Sequence, residues 1–267
     1  MGENNARKRA HSKILEACPW CIYCGGAVSA TTVDHVPPII MFRARRRPKG
    51  LEFPSCHRCN EGTRLSDLAA AMIGRSFPDA ETEFEKAEMK GLLTAVSNNI
   101  PGLLQEMHIG TAGQKIAKNR LAVRINGGFL RANGPLVSSH MQAFSAKIGF
   151  ALYFELTKRI IPMEGGVAVR WFSNYERLEG TFPHTVFDYL LPPNTLKQGK
   201  FEVSDQFGYQ WRMAEENQMG MFFAYFRQSF AVLAFVALDK SLLEVETKHP
   251  IRIFVPGDLR KVTKSSP

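Results

Sequence analysis

Apolar residues recur at helical spacing in several stretches of the chain. From residue 60 onward the spacing is i, i+3, i+4, i+7 and i+8, which gathers apolar side chains on one face of a helix. The residues on this face are Leu65, Leu68, Ala69, Met72 and Ile73. Residues 138–160 carry a similar pattern and predict one long helix. Shorter helices are predicted over residues 5–17 and 80–107, the second interrupted near residue 100 by an Asn-Asn and a Pro-Gly step.

Stretches with strand character separate and follow these helices. Residues 27–36 are rich in Val and Thr and predict a β-hairpin, and residues 51–53 predict a further strand. The texture becomes β-like after Pro162, where the predicted strands cover residues 167–172, 185–191, 207–214, 219–227 and 230–238. The last three are joined by short turns, which favours an antiparallel meander.

The elements together predict an α+β fold, in which a turn-rich N-terminal part is followed by helices and by a C-terminal α+β region with an antiparallel sheet. The basic segment 109–135 contains several Gly and Asn residues and is a predicted boundary. We therefore predict one domain over residues 1–110 and an α+β domain over residues 136–267. No ligand motif is recognisable in the second domain, and a role in specificity, oligomerisation or sensing of a signal stays open.

Composition excludes some classes of protein. The chain has 267 residues, of which 45% are hydrophobic, and its longest apolar run is residues 230–238. That run is far shorter than the roughly 20 residues that span a bilayer, so no membrane helix is predicted. The N-terminus is polar and basic and lacks the apolar stretch of a secretory signal, so a cytoplasmic location is expected.

Positive charge is concentrated near the N-terminus. The net charge is +9, and residues 1–50 contain nine Lys or Arg against three Asp or Glu. A concentrated basic segment favours a polyanion, because neutralised phosphates release counterions. A solubilising tail followed by a solvated loop would give the same charge pattern, so charge alone leaves both interpretations open.

All five cysteines lie within the first 60 residues. Two C-x-x-C pairs, Cys21/Cys24 and Cys56/Cys59, are separated by 31 residues. Four thiolates at this spacing can close a tetrahedral structural zinc site. The fifth, Cys18, is predicted to be a spare thiol, although its spacing also allows a pair with Cys21.

A second constellation lies between and after the cysteine pairs. Asp34 and His35 are adjacent at the end of the predicted hairpin, so their side chains point to opposite faces of a strand. A carboxylate can hold a hard divalent cation, while an imidazole that stays off the metal can activate water. Asn60 follows the last cysteine directly and could offer an amide oxygen to the same cation.

The order C-x-x-C, Asp-His-x-x-Pro, C-x-x-C-Asn resembles the HNH, or ββα-metal, nuclease family in its zinc-bearing branch, over about residues 17–67. The resemblance implies a ββα zinc module in which His35 is the general base. It also implies that Asp34 and Asn60 bind one catalytic Mg²⁺ or Mn²⁺, and that the structural zinc ligands are Cys21, Cys24, Cys56 and Cys59. The implied activity is metal-dependent hydrolysis of DNA, with RNA not excluded.

One departure from the family concerns the Asn that orients the general base. Lys49 and Gly50 stand where that Asn is expected, so a backbone carbonyl would have to orient His35 instead. This departure keeps an alternative open, namely a zinc-organised nucleic-acid-binding protein without catalysis.

Basic side chains flank the predicted site. The loop between His35 and the second cysteine pair is expected to contact phosphates, which would supply affinity without sequence choice. Arg64, one helical turn after Asn60, could grip a phosphate or remain a solvated helix residue. The predicted nucleic-acid contacts are Arg43, Arg45, Arg46, Arg47, Lys49 and Arg64.

Overall fold

The structure is a computed structural model that describes residues 2–77, 82–108, 122–125, 128–193, 195–214, 216, 218–244 and 251–260, without the side chains of residues 2–4 and 6–7. The N-terminal part follows a helix–strand–strand–helix order. Its elements are α1 (Gly2–Ala17), β1 (Thr32–His35), β2 (Glu52–Ser55) and α2 (His57–Gly74). The antiparallel pair β1–β2 followed by α2 gives the ββα arrangement expected from the sequence.

The hairpin itself differs from the prediction over residues 27–36. β1 pairs with the distant β2, with Thr32 opposite Ser55 and His35 opposite Glu52. Residues 28–30 bond instead to residues 19–21, with Cys21 N donating to Val28 O at 2.9 Å. These hydrogen bonds form the turn around the first cysteine pair, and the pairing with β2 begins at Thr31, whose N donates to Ser55 O at 3.0 Å.

The middle of the chain continues with helices, as predicted. Its elements are α3 (Glu83–Asn99), α4 (Leu103–Met107), the hairpin β3 (Ala122–Ile125) and β4 (Gly128–Arg131), and α5 (Pro135–Thr157). α3 begins at a capping box, in which Thr82 accepts from the backbone of Glu85 and the Glu85 side chain accepts from Thr82. Only part of the predicted boundary over 109–135 lies within the described residues.

The C-terminal region contains a five-stranded antiparallel sheet in the order β11-β5-β10-β9-β8. The strands are β5 (Gly166–Ser173), β8 (Phe207–Met213), β9 (Met219–Phe226), β10 (Phe230–Ala237) and β11 (Arg252–Phe254). The meander β8–β9–β10 confirms the prediction. The remaining elements are α6 (Asn174–Leu178), a 3-10 turn (His184–Tyr189), and the short pair β6 (Lys197–Gln198) and β7 (Phe201–Glu202). That turn lies where a strand over 185–191 was predicted.

One hydrophobic core runs through the N-terminal module, α5 and the sheet. Residues 143–154 of α5 are all buried, which is typical of a helix that lies between layers. Phe53 of β2 packs against Phe154 of α5, and Tyr23 packs against Phe150. The two predicted domains therefore share α5 as a common centre. No helix among the described residues is long and apolar enough to cross a membrane.

The C-terminal segment returns to the N-terminal module. β11 pairs with β5, and Gly257 N then donates to Tyr23 O at 2.7 Å. The following turn, Asp258–Arg260, packs on α2 so closely that a Cβ at Gly62 would lie 2.2 Å from the Leu259 carbonyl oxygen. Glycine at position 62 is what permits this contact.

Candidate functional site

Four cysteines converge between the first turn of the module and the start of α2. Gly25 and Gly26 both adopt positive φ (63° and 74°), the left-handed conformation that glycine allows in the tight turn after Cys24. The second pair lies at the N-terminus of α2. Cys24 Sγ is 3.3 Å from Sγ of Cys21, 3.3 Å from Sγ of Cys59 and 3.6 Å from Sγ of Cys56.

This geometry fits a structural metal. The four sulfur atoms lie within 4.8 Å of one another and all four residues are buried. A tetrahedral ion with Zn–S bonds of about 2.3 Å separates its sulfur ligands by about 3.8 Å, close to the observed spacing. Hydrogen bonding with Cys21 and Cys59 lowers the pKa of Cys24, and hydrogen bonding within the cluster raises the pKa of both Cys21 and Cys59. The predicted four-cysteine cluster is confirmed as a set of residues that could hold zinc.

Cys18 lies outside the cluster. Its side chain is partly exposed, and its Sγ contacts the Trp20 carbonyl oxygen at 3.6 Å. A different residue approaches the sulfurs from the C-terminal turn: hydrogen bonding with Cys24 raises the pKa of the Arg260 guanidinium. No sequence motif marks Arg260 as a neighbour of the cysteines, because it is a single arginine about 200 positions after Cys59.

Asp34 is part of a buried ionic cluster. The residue is 4% exposed, and its Oδ2 accepts from Tyr23 Oη at 3.1 Å and contacts Lys147 Nζ at 2.9 Å. Lys147 is fully buried in α5, and its Nζ also contacts Oδ2 of Asp67 in α2 at 2.7 Å. One ammonium group thus serves two carboxylates from two different elements.

The shared ammonium leaves excess negative charge in this cluster. Burial raises the pKa of Asp67 to about 7, and the neighbouring charge of Asp34 adds to this effect. Burial lowers the pKa of Lys147, but the two carboxylates outweigh it and raise the pKa overall. Of the two acidic groups around this ammonium, burial thus pushes Asp67 toward its protonated form.

A divalent metal on Asp34 would compete with an existing ion pair. The Asp34 carboxylate contacts Lys147 Nζ at 2.9 Å. Asn60 is engaged through its amide nitrogen, since Nδ2 donates to Thr32 Oγ1 at 3.2 Å. The assignment of Asp34 and the Asn60 oxygen as ligands of Mg²⁺ or Mn²⁺ stays a prediction.

His35 stands at the end of β1, opposite Glu52 of β2. Its Nε2 lies 3.5 Å from Glu52 Oε1, and the side chain is 23% exposed. The His11 ring of α1 packs edge-on with a centroid distance of 5.9 Å. A carboxylate thus stands beside the imidazole. Pairing residues 51–53 with the Asp-His strand would have revealed it.

The basic loop divides into anchored and exposed members. Arg47 is buried, donates to Leu51 O at 2.9 Å and to Glu52 Oε1 at 2.8 Å, and burial lowers its pKa. Arg43 pairs with Glu85. The side chains of Arg45, Arg46 and Lys49 are exposed. The guanidinium carbon of Arg46 lies 3.9 Å from the centroid of the Phe201 ring.

Arg64 of α2 is also exposed. Its Nε lies 3.5 Å from Glu61 Oε2, and both side chains are more than half exposed. A pair of this kind is weak in water, so Arg64 keeps its capacity to contact a phosphate.

The chain has no match among known protein families, curated proteins or solved structures. The resemblance of residues 17–67 to HNH nucleases therefore rests on the motifs themselves and on the ββα geometry around the four cysteines.

Proposed function

We propose that this protein is an HNH-type nuclease in which His35 is the general base. The observation that carries the proposal is the cross-strand pair of His35 and Glu52 on the zinc-clamped hairpin. A carboxylate beside an imidazole fixes the orientation of the ring and stabilises the imidazolium that forms when the ring takes a proton. The partial exposure of His35 gives water access to it.

In the proposed reaction, His35 takes a proton from the water that attacks a backbone phosphorus, the bond to the 3′ oxygen breaks, and that oxygen takes up a proton from solvent to leave as a hydroxyl. General base catalysis of this kind contributes about 10²- to 10⁴-fold to a rate. The exposed side chains Arg45, Lys49 and Arg64 would bind neighbouring phosphates without sequence choice. Asp34 stays paired with Lys147 in this reaction and holds no divalent ion.

The decisive experiment compares wild type, His35→Ala and His57→Ala on supercoiled plasmid and on single-stranded DNA and RNA, with Mg²⁺, with Mn²⁺ and with neither. His57 is the matched control, because it is an exposed histidine between two zinc ligands. We expect His35→Ala to lose about 100-fold or more in cleavage rate, with His57→Ala near wild type and bound zinc equal in all three. Equal cleavage by wild type and His35→Ala would refute the proposal.

The variant Glu52→Gln tests whether Glu52 acts on the imidazole of His35 or only supports the structure of the hairpin. If Glu52 stabilises the imidazolium, the neutral amide should lower the pKa that governs the rate, so the rising limb of the pH–rate profile should move to lower pH. A loss of rate with an unchanged profile would assign Glu52 to the structure of the hairpin alone.

A second candidate function is nucleic-acid binding without cleavage. The ion pair between Asp34 and Lys147 favours it, because the carboxylate implied as a metal ligand is buried and neutralised. This candidate predicts salt-dependent DNA binding by wild type with no cleavage in either metal. Arg45→Ala and Lys49→Ala should each reduce the slope of log K against log salt by about one.

A further inference from the structure

A pocket of about 250 Å³ opens on the face of the sheet that points away from α5. Its floor is formed by β9 and β10, and its rim by the 3-10 turn 184–189, the start of α6 and the β9–β10 turn. A separate small aromatic cluster, distinct from the main core, forms its walls. The pocket lies on a different layer of the protein from the cysteine cluster.

The walls present flat aromatic surfaces. The rings of Phe182 and Phe187 are stacked, with centroids 5.5 Å apart and planes 22° from parallel. Phe223 meets Phe187 edge-on at 5.0 Å, and His184 lies 5.4 Å from Phe182. Phe187 is 37% exposed although its ring contacts two members of this cluster. An aromatic ring exposed at a pocket is available for stacking with a planar ligand.

The pocket is also cationic. Arg177, Arg227 and His184 line it, and its described lining contains no acidic residue. Arg227 has a positive φ of 50°, which is uncommon for a residue other than glycine. Its Nη2 donates to Gln206 Oε1 at 3.4 Å, while its Nε is buried without a hydrogen-bond partner among the described residues. The side chain is only partly buried, so an anion in the pocket could pair with this guanidinium.

We propose that this pocket binds a single nucleotide, with the base stacked on Phe187 and the phosphate held by Arg177 and Arg227. The combination of a planar apolar surface and two arginines in the lining matches the two halves of a nucleotide. The exposed amide of Gln228 lies at the rim, where it could reach a base edge. The same chemistry fits a free nucleotide and the phosphorylated end of a strand. This site goes beyond the proposed nuclease activity and does not depend on His35.

The test measures binding of AMP, adenosine and inorganic phosphate to the full chain by calorimetry. AMP should bind about tenfold or more tightly than adenosine or phosphate, because each of those lacks one half of the interaction. Phe187→Ala should weaken AMP binding about five- to a hundredfold, and Arg177→Gln about tenfold to a hundredfold. Both side chains are exposed enough for these variants to fold, which thermal unfolding checks.

Two matched controls lie beside the pocket. Tyr189 is a 68% exposed aromatic residue in the same 3-10 turn, and Arg212 is an exposed arginine on β8, and neither lines the pocket. Tyr189→Ala and Arg212→Gln should bind AMP as wild type does. No AMP binding at millimolar concentration, or equal losses in pocket and control variants, would overturn the proposal.

A short 5′-phosphorylated oligonucleotide distinguishes the two sources of the ligand. Tighter binding of the oligonucleotide than of AMP, lost in Phe187→Ala, assigns the pocket to a strand end, and the reverse order assigns it to a free nucleotide. His35→Ala should bind both as wild type does. A failed cleavage assay therefore leaves this site standing, and a failed binding assay leaves the nuclease proposal standing.

Discussion

At the scale of single residues, the five cysteines divide into two kinds. Four are buried with their sulfur atoms within 4.8 Å of one another, whereas Cys18 is partly exposed and its Sγ contacts the backbone carbonyl oxygen of Trp20. Thiolates packed this closely repel one another unless protons or a metal ion compensate their charge. The stability of the module should therefore depend on the bound metal.

Cys59→Ser should remove bound zinc and Cys18→Ser should not. The first variant deletes one of four ligands and a buried sulfur, whereas the second changes a side chain outside the cluster. We expect about one zinc per chain in wild type and in Cys18→Ser, measured by elemental analysis after dialysis, and a fall of at least half in Cys59→Ser. Zinc loss from Cys18→Ser would instead implicate the overlapping Cys18/Cys21 pair.

The cysteine cluster was predictable because its spacing is local in sequence. The buried ionic cluster around Asp34 could not be predicted from the sequence. Lys147 and Asp67 come from other elements, and no motif marks them as members of one cluster. The position of Glu52 beside His35 was partly predictable, because a correct pairing of the two strands places them opposite each other. Motifs of a few residues could be recognised in the sequence, whereas contacts between distant elements could not.

At the scale of elements, periodicity located the long helices and the meander, and it failed where prolines intervene. Residues 185–191 contain apolar and aromatic residues typical of strands, but His184–Tyr189 form a 3-10 turn. Pro183 precedes this segment and two prolines follow it, so strand hydrogen bonding is limited on both sides. Val186 and Leu190 pack, partly buried, on the outer face of the sheet, and Phe187 meets Phe223 edge-on.

The contact of α2 with the C-terminal turn predicts opposite results for two helical glycines. Gly62→Ala places a Cβ 2.2 Å from a backbone oxygen of Leu259 and should destabilise the protein by about 1–3 kcal/mol. Gly91 lies in α3 with nothing within 4 Å of an added Cβ, so Gly91→Ala should stabilise by about 0.5–1 kcal/mol. Urea denaturation measures both, and similar effects at the two positions would contradict the close contact.

At the scale of the whole molecule, one core crosses the predicted domain boundary. α5 packs against the sheet on one side and α2 on another, and it also contacts the turn that holds the first cysteine pair. The buried cluster of Asp34, Lys147 and Asp67 links β1, α5 and α2 by charge. We expect the N-terminal module and the sheet to unfold together.

Removing the central ammonium tests this linkage. Lys147→Met leaves two buried carboxylates without their cation and should cost about 3–5 kcal/mol in the free energy of unfolding. Lys86→Met is the control, because Lys86 forms an exposed pair with Glu83 and its loss should cost within about 1 kcal/mol. Chemical denaturation with zinc held constant measures both. Adding Asp67→Asn to Lys147→Met should recover part of the loss, and a small effect of Lys147→Met would contradict the charge linkage.

The return of residues 257–260 to the cysteine cluster has a consequence for biosynthesis. About 200 residues separate Cys59 from Arg260, which a ribosome translating 5–20 residues per second adds in roughly 10–40 s. During that interval the thiols have left the exit tunnel without the segment that later covers them. Nascent chains are therefore most vulnerable to oxidation in this window, and early supply of zinc should protect them.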